Sequence, residues 1–230
     1  KICLTGPDGA GKSTLLKLLS GVLKPANGSV SLLGLTPNTN DRNFIESISY
    51  MSQTLGLYKE LSVIDNLKIF AALKGLDIKN STDYLFSLLK KVDLLQFKDR
   101  EFDDLSGGMK QRCAIAQAFS INPPVLLMDE PFGALDAVTR ARLQDMVLEL
   151  WSSQEEKKTV FFVTHDVDEA LLLATRICVL GQAPSKVIYD VKIPADRKPT
   201  RETLFDDIEM MKLRNELIRY INRDVASHIE

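Results

Sequence analysis

The chain has 230 residues, enough for one sizeable domain with its own core. Charged residues make up 26% of it with a net charge of −2, a balance that argues against a nucleic-acid partner gripped mainly through phosphates. No apolar run approaches the ~20 residues that a membrane-spanning helix needs, so any membrane part must belong to another chain.

The chain opens at Lys1 inside a strand pattern, residues 2–5, and reads as a fragment that lacks its beginning. Then comes Gly6-Pro7-Asp8-Gly9-Ala10-Gly11-Lys12-Ser13-Thr14 and a Leu-rich helix over residues 14–20. The nonapeptide fits G-x-x-x-x-G-K-[ST], and strand–loop–helix is the context that this phosphate-cradling motif requires. The glycines let backbone amides approach phosphates without a Cβ in the way. Lys12 is expected to reach the β/γ-phosphates of a bound nucleotide and the Ser13 hydroxyl to ligate Mg²⁺. A glycine-rich turn with one exposed lysine is the bland alternative, and the matched context outweighs it. Residues 25–28 read as a turn, 29–33 as a strand and 34–43 as a polar loop. Residues 45–52 alternate like a strand that ends at Gln53. Helices follow over 62–73, with Ser62 as N-cap, and over 81–91, with Leu85, Leu88 and Leu89 on one face. Between Gln53 and the first of these, Leu55, Leu57, Tyr58 and Leu61 crowd into one loop. Packing beneath the helices and a groove for a partner explain them equally well.

Leu105-Ser106-Gly107-Gly108-Met109-Lys110-Gln111-Arg112 opens into a helix over 109–119. A Ser N-cap with two loop glycines accounts for it; so does an anion site made of free amides at a helix start. Asn122-Pro123-Pro124 ends that helix. The apolar strand 125–129 delivers Asp129 and Glu130 to its carboxyl end, where ligands bind in doubly wound sheets. An amphipathic helix over 137–151 turns Met146, Val147, Leu150 and Trp151 to the core. A buried strand, 159–163, leads to Thr164-His165-Asp166. A helix over 167–175, strands over 177–180 and 186–189, and a late helix over 209–221 complete the pattern. Leu213, Leu217, Tyr220 and Ile221 share one face of the late helix, suited to docking on the body or on a second copy. Cys3, Cys113 and Cys178 lie far apart and fit buried thiols in a reducing compartment. His228 has no context and reads as surface.

With these motifs in this order, the whole chain resembles the ATP-binding-cassette (ABC) ATPases. The resemblance implies an α/β P-loop NTPase core with a mostly parallel sheet, residues 1–54 and 122–190. It implies an inserted helical subdomain, 55–121, and a C-terminal tail, 191–230. It implies that Gln53 touches Mg²⁺ and the γ-phosphate, that Asp129 holds Mg²⁺ through water, and that Glu130 is the general base. His165 is expected to contact the γ-phosphate, and Gly6 to Thr14 to cradle the phosphates. Ser106, Gly107 and Gly108 are expected to complete the site of a second ATPase subunit, which the loop Ala134-Leu135-Asp136 also contacts. The groove after Gln53 is expected to accept a helix from transmembrane permease subunits, with the chain peripheral on the cytoplasmic face of the membrane. Members of the family stack the adenine on an aromatic residue ahead of the P-loop, so this stretch alone is expected to bind ATP weakly. Lys12, Glu130 and His165 are all present, against an inactive module. The region between the P-loop and the signature is short and lacks heptads, against the DNA-repair class. The second half resembles ATPases of nitrate, sulfonate and taurine importers; the first half looks closer to those of multidrug-type exporters.

Overall fold

A computed structural model describes residues 1–133, 135–152 and 158–226. Ala134 and His228, named above, lie outside the described residues.

Six strands form one sheet in the order β2-β3-β4-β1-β5-β6. They are β1 (Ile2–Thr5), β2 (Ile48–Met51), β3 (Val125–Asp129), β4 (Thr159–Val163), β5 (Arg176–Leu180) and β6 (Val187–Lys192). β1 to β5 are parallel, and β6 returns antiparallel to β5 through a short turn. All five residues of β3 are buried, as a central strand covered on both faces requires. The helices are α1 (Lys12–Leu19), α2 (Arg42–Ser47), α3 (Val63–Leu73), α4 (Ile78–Lys91), α5 (Gly107–Phe119), α6 (Ala137–Ser152), α7 (Val167–Leu173) and α8 (Ile208–Ala226). α3, α4 and α5 pack on one another, and α5 also packs on β2. One apolar cluster runs from Leu67, Leu85 and Leu89 of that lobe through Phe119 and Phe132 to Phe162 and Leu171. No helix among the described residues is long and apolar enough to cross a membrane. The three cysteines are free and buried.

Two elements differ from the sequence expectation. The segment 29–33 is not a strand; Leu32 and Leu35 exchange backbone hydrogen bonds of 2.8 and 2.9 Å around Leu33 and Gly34. Both central residues take positive φ, 55° and 77°, so the chain satisfies its own polar groups in a tight turn. Residues 45–47, which alternate like a strand, are helical instead. Asp41 caps α2 by accepting from the Asn43 and Phe44 amides, and the local cap overrides the alternation. Helix α4 begins at Ile78 because Asp77 caps it, three residues ahead of the expected start. The face of α6 is as expected at Val147 and Leu150, joined by Leu143, while Met146 and Trp151 pack at its margin.

Candidate nucleotide site

The loop after β1 carries Gly6, Gly9 and Gly11 at φ of 142°, 79° and 77°. At Gly6 there is a second constraint. A Cβ there would sit 2.2 Å from the Leu180 carbonyl oxygen, so the loop leaves β1 flush against the end of β5. Gly11 is the N-cap of α1, no side chain caps it, and the first turn holds no acidic residue. The first amides of α1 therefore await an outside acceptor at the positive end of the helix. Lys12 is 6% exposed, and its Nζ donates to the carbonyls of Gly6 and Pro7, 2.9 Å each. Asp8, Gly9 and Thr14 are exposed around this cradle and Ala10 is buried beneath it. A glycine backbone, a bare helix start and a buried ammonium together fit a phosphate chain.

Ser13 Oγ donates to Asp129 Oδ1 at 2.9 Å, joining the start of α1 to the end of β3. Burial pushes the Asp129 carboxyl above the usual carboxylate range; the Ser13 hydrogen bond opposes this and the neighbouring Glu130 charge adds to it. No group of three or more His, Cys, Asp or Glu side chains among the described residues could hold a metal. One hydroxyl and one carboxylate instead suit a hard cation such as Mg²⁺, which completes its shell with water and substrate phosphate oxygens.

Three neighbouring parallel strands then deliver one residue each to a single line. Gln53 follows β2, Glu130 follows β3 and His165 follows β4. Gln53 Nε2 donates to Glu130 Oε2 at 3.0 Å, and His165 Nδ1 lies 3.6 Å from Glu130 Oε1. Glu130 holds φ at 50°, unusual for a residue with a side chain. Its N–H donates to Val163 at 3.1 Å and its carbonyl accepts from Gly133 at 3.1 Å, so both neighbours fix the strained turn.

The signature stretch lies apart from this line. Ser106 caps α5 by accepting from the Met109 amide at 3.4 Å. Ser106 and Gly107 are exposed, and a Cβ on Gly108 would meet the Thr139 methyl at 2.9 Å. Among the described residues, Ser106, Gly107 and Gly108 form no hydrogen bond with the P-loop, Asp129, Glu130 or His165. Asp136 serves as a cap, accepting from Val138 and Thr139 amides at 3.1 and 3.0 Å. Sequence reading missed Ser185, whose Oγ donates to the Ala10 carbonyl at 2.7 Å and braces the P-loop from the β5–β6 turn. It also missed Asn66, buried on α3, which accepts from Tyr58 N–H at 2.8 Å and donates to the carbonyls of Tyr58, Leu61 and Ser62. Only a polar residue on the apolar face of α3 signals the second; nothing local signals the first. In the loop that Asn66 holds, Leu55 and Leu57 pack on the core while Tyr58 is 54% exposed. Leu55, Leu57, Met51, Phe70 and Ala114 line a cleft of about 70 Å³ there.

Fold and site together define a P-loop nucleotide hydrolase, with Ser106, Gly107 and Gly108 at the start of a separate helix. Residues 1–133 match the family described as ABC transporter. The chain is 40% identical over 230 residues to the nitrate import ATP-binding protein NrtD of Synechococcus elongatus, covering 98% of this chain and 81% of that protein. It is 37% identical over 195 residues to the taurine import ATP-binding protein TauB of Roseobacter denitrificans, covering 84% of this chain and 70% of that one. Among solved structures it resembles the dimeric post-hydrolysis state of the ATP-binding cassette MJ0796 bound to ADP and Pi, with a TM-score of 0.72 and 28% identity, over 84% of this chain and 85% of that one. The chain belongs to the ABC transporter family and is its ATP-hydrolysing cassette. The likeness to the nitrate import protein runs through both halves of the chain.

Proposed function

We propose that this cassette drives import of a small anion, hydrolysing ATP in a head-to-tail dimer seated on permease subunits at the cytoplasmic face of the membrane. The observation that carries the reading is the line Gln53–Glu130–His165 beside the Ser13–Asp129 pair and the glycine cradle. In it the amides of Gly6 to Thr14 and the Lys12 ammonium bind the β- and γ-phosphates. Ser13, Asp129 and Gln53 hold Mg²⁺, which when bound neutralises charge on the phosphates. Glu130 accepts the proton of the attacking water as that water adds to the γ-phosphorus and ADP leaves. His165 contacts the γ-phosphate and keeps Glu130 aligned. Ser106, Gly107 and Gly108 close over the ATP of the other subunit, with Asp136 and its loop at the same interface. The lobe 55–121 meets the permease through the cleft beside Tyr58. The anion class is supported by the nitrate and taurine import proteins among the relatives.

Glu130→Gln tests the site. It is expected to keep ATP binding, to slow hydrolysis by at least ~10²-fold as loss of a general base does, and to accumulate nucleotide-bound dimers. Turnover near wild type would remove Glu130 from this role. Direction is tested in vesicles carrying the cassette with its permease, where ATP-driven uptake of nitrate or taurine is expected and ATP-driven extrusion would overturn the import reading.

A further inference from the structure

Behind the His165 turn lies a buried polar chain that the mechanism above leaves unused. Glu169, on the first turn of α7, is 5% exposed. Its Oε2 accepts from Gln144 Nε2 at 2.9 Å, its amide donates to Asp166 Oδ1 at 3.2 Å, and it lines one small cavity with Thr164, His165 and Glu130. Thr164 is itself buried, immediately precedes His165, and accepts from the Asp166 amide at 3.0 Å. Gln144, also buried, accepts from the Arg201 guanidinium at 3.0 Å. Arg201 belongs to the tail and holds Asp145 Oδ1 as well, at 3.0 Å. One turn before Gln144, Arg140 donates to the Leu135 carbonyl at 3.0 Å and lies 3.7 Å from Asp166. The helix after Asp136 thus joins the tail, through Gln144 and Arg201, to Glu169 behind the His165 turn.

The His165 side chain is 65% exposed, and its Nδ1 lies a loose 3.6 Å from Glu130 Oε1. Its direction is therefore set by the backbone turn that carries it, and that turn is held from behind. A buried acid is unfavourable unless it is hydrogen-bonded, which ties its geometry to that of its partners. We propose that Glu169 is a positioning residue for ATP hydrolysis, fixing the His165 turn through Thr164 and locking it, through Gln144 and Arg201, to α6 and the tail. The inference rests on the role given to His165 above.

Steady-state ATPase assays of the full-length chain assembled with its membrane subunits test it. Glu169→Ala is expected to lower kcat ~10-fold or more, within the ~10²-fold that a small misplacement of a reacting group can cost, with the KM for ATP little changed. Glu169→Gln, which keeps an acceptor for Thr164, is expected to recover most of that loss. Because Glu169 acts through His165, Glu169→Ala is expected to add little in a His165→Ala background, as coupled sites do. A full-sized further loss in that background, or wild-type kcat for Glu169→Ala, would overturn the inference. Should Glu169→Ala not fold, Thr164→Val removes only the hydroxyl and is expected to lower kcat alike; wild-type turnover in a folded Thr164→Val protein would be decisive against it. Wild-type turnover in His165→Ala alone would instead bring down the role of His165, and this inference with it.

Discussion

Gly6 is the residue at which sequence, backbone and chemistry meet most tightly. Its φ of 142° and the 2.2 Å gap between an added Cβ and the Leu180 carbonyl exclude every other residue type without movement of β5 or the loop. Gly6→Ala is therefore expected to destabilise the fold by at least ~1–3 kcal/mol in urea unfolding and to weaken ATP binding with it; an unchanged unfolding midpoint would show that the loop leaves β1 differently. Glu169 makes a prediction in pH. Burial raises its carboxyl from 4.5 to about 7, with the Thr164 and Gln144 hydrogen bonds opposing and Asp166 adding to the rise. In that window the folded state binds the proton more tightly than the unfolded state does. Glu169 therefore contributes stability that is full below 4.5 and is lost as pH rises to about 7, roughly 3 kcal/mol across the window. Lys198 runs the other way. Burial, assisted by Lys1, lowers its ammonium from 10.5 to about 7, so its charged form disfavours the fold below that point and the penalty fades as pH rises toward 10.5. Wild type is expected to lose stability relative to Glu169→Gln between pH 4.5 and 7, in urea titrations at several pH values. Parallel curves for the two proteins would mean that Glu169 does not titrate there.

Elements were legible where a local signal and a tertiary need agree. β3 and β4 read as apolar runs between breakers because a central parallel strand is buried on both faces. α3 and α5 begin where a side chain closes the first turn, at Ser62 and Ser106, and both serines can be seen in the sequence. Gln53, Glu130 and His165 were legible for the same reason, since each stands one or two places past the end of a recognisable strand. What escaped was decided by competition or by distance. Ile45 to Ser47 carry a strand period, but Asp41 supplies two hydrogen bonds to amides nearby and the helix wins. Ser185, Gln144 and Arg201 pair with residues far away along the chain, and no window of sequence joins Ser185 to Ala10. Asn66 belongs to both groups, visible as a polar residue on an apolar face yet mute about its partners. Its four hydrogen bonds hold residues 58–62 against α3. Asn66→Ala is expected to cost ~2–3 kcal/mol, as buried partners left unpaired do, and to speed hydrogen exchange at the Tyr58 amide. Wild-type protection at that amide would show that the loop is held by Leu55 and Leu57 alone.

At the scale of the whole molecule, the tail docks on its own body. Met210 and Leu217 of α8 are buried, Tyr220 stacks on Tyr189 at 4.4 Å, and Arg214 pairs with both oxygens of Asp168 at 2.5 and 3.2 Å. That face of α8 is used within the chain, whereas Ser106 and Gly107 are exposed. If they complete the site of a second subunit, two ATP molecules lie between head-to-tail chains. Lys12→Ala disables the P-loop of a chain, and Ser106→Arg disables the signature that it lends. Each mutant alone has no intact site in its homodimer. In a mixed dimer one site is broken twice, while the other pairs the intact P-loop of the Ser106→Arg chain with the intact signature of the Lys12→Ala chain. ATPase activity is expected to return in part on mixing where one site can fire alone, in full-length protein assembled with its membrane partner. Activity that stays absent in mixed dimers shown to form would count against the shared site. A covalently linked wild-type dimer with one Lys12→Ala change separates the remaining explanation. If that dimer hydrolyses ATP, one working site suffices, and silent mixed dimers mean that Ser106 does not serve the site of its partner.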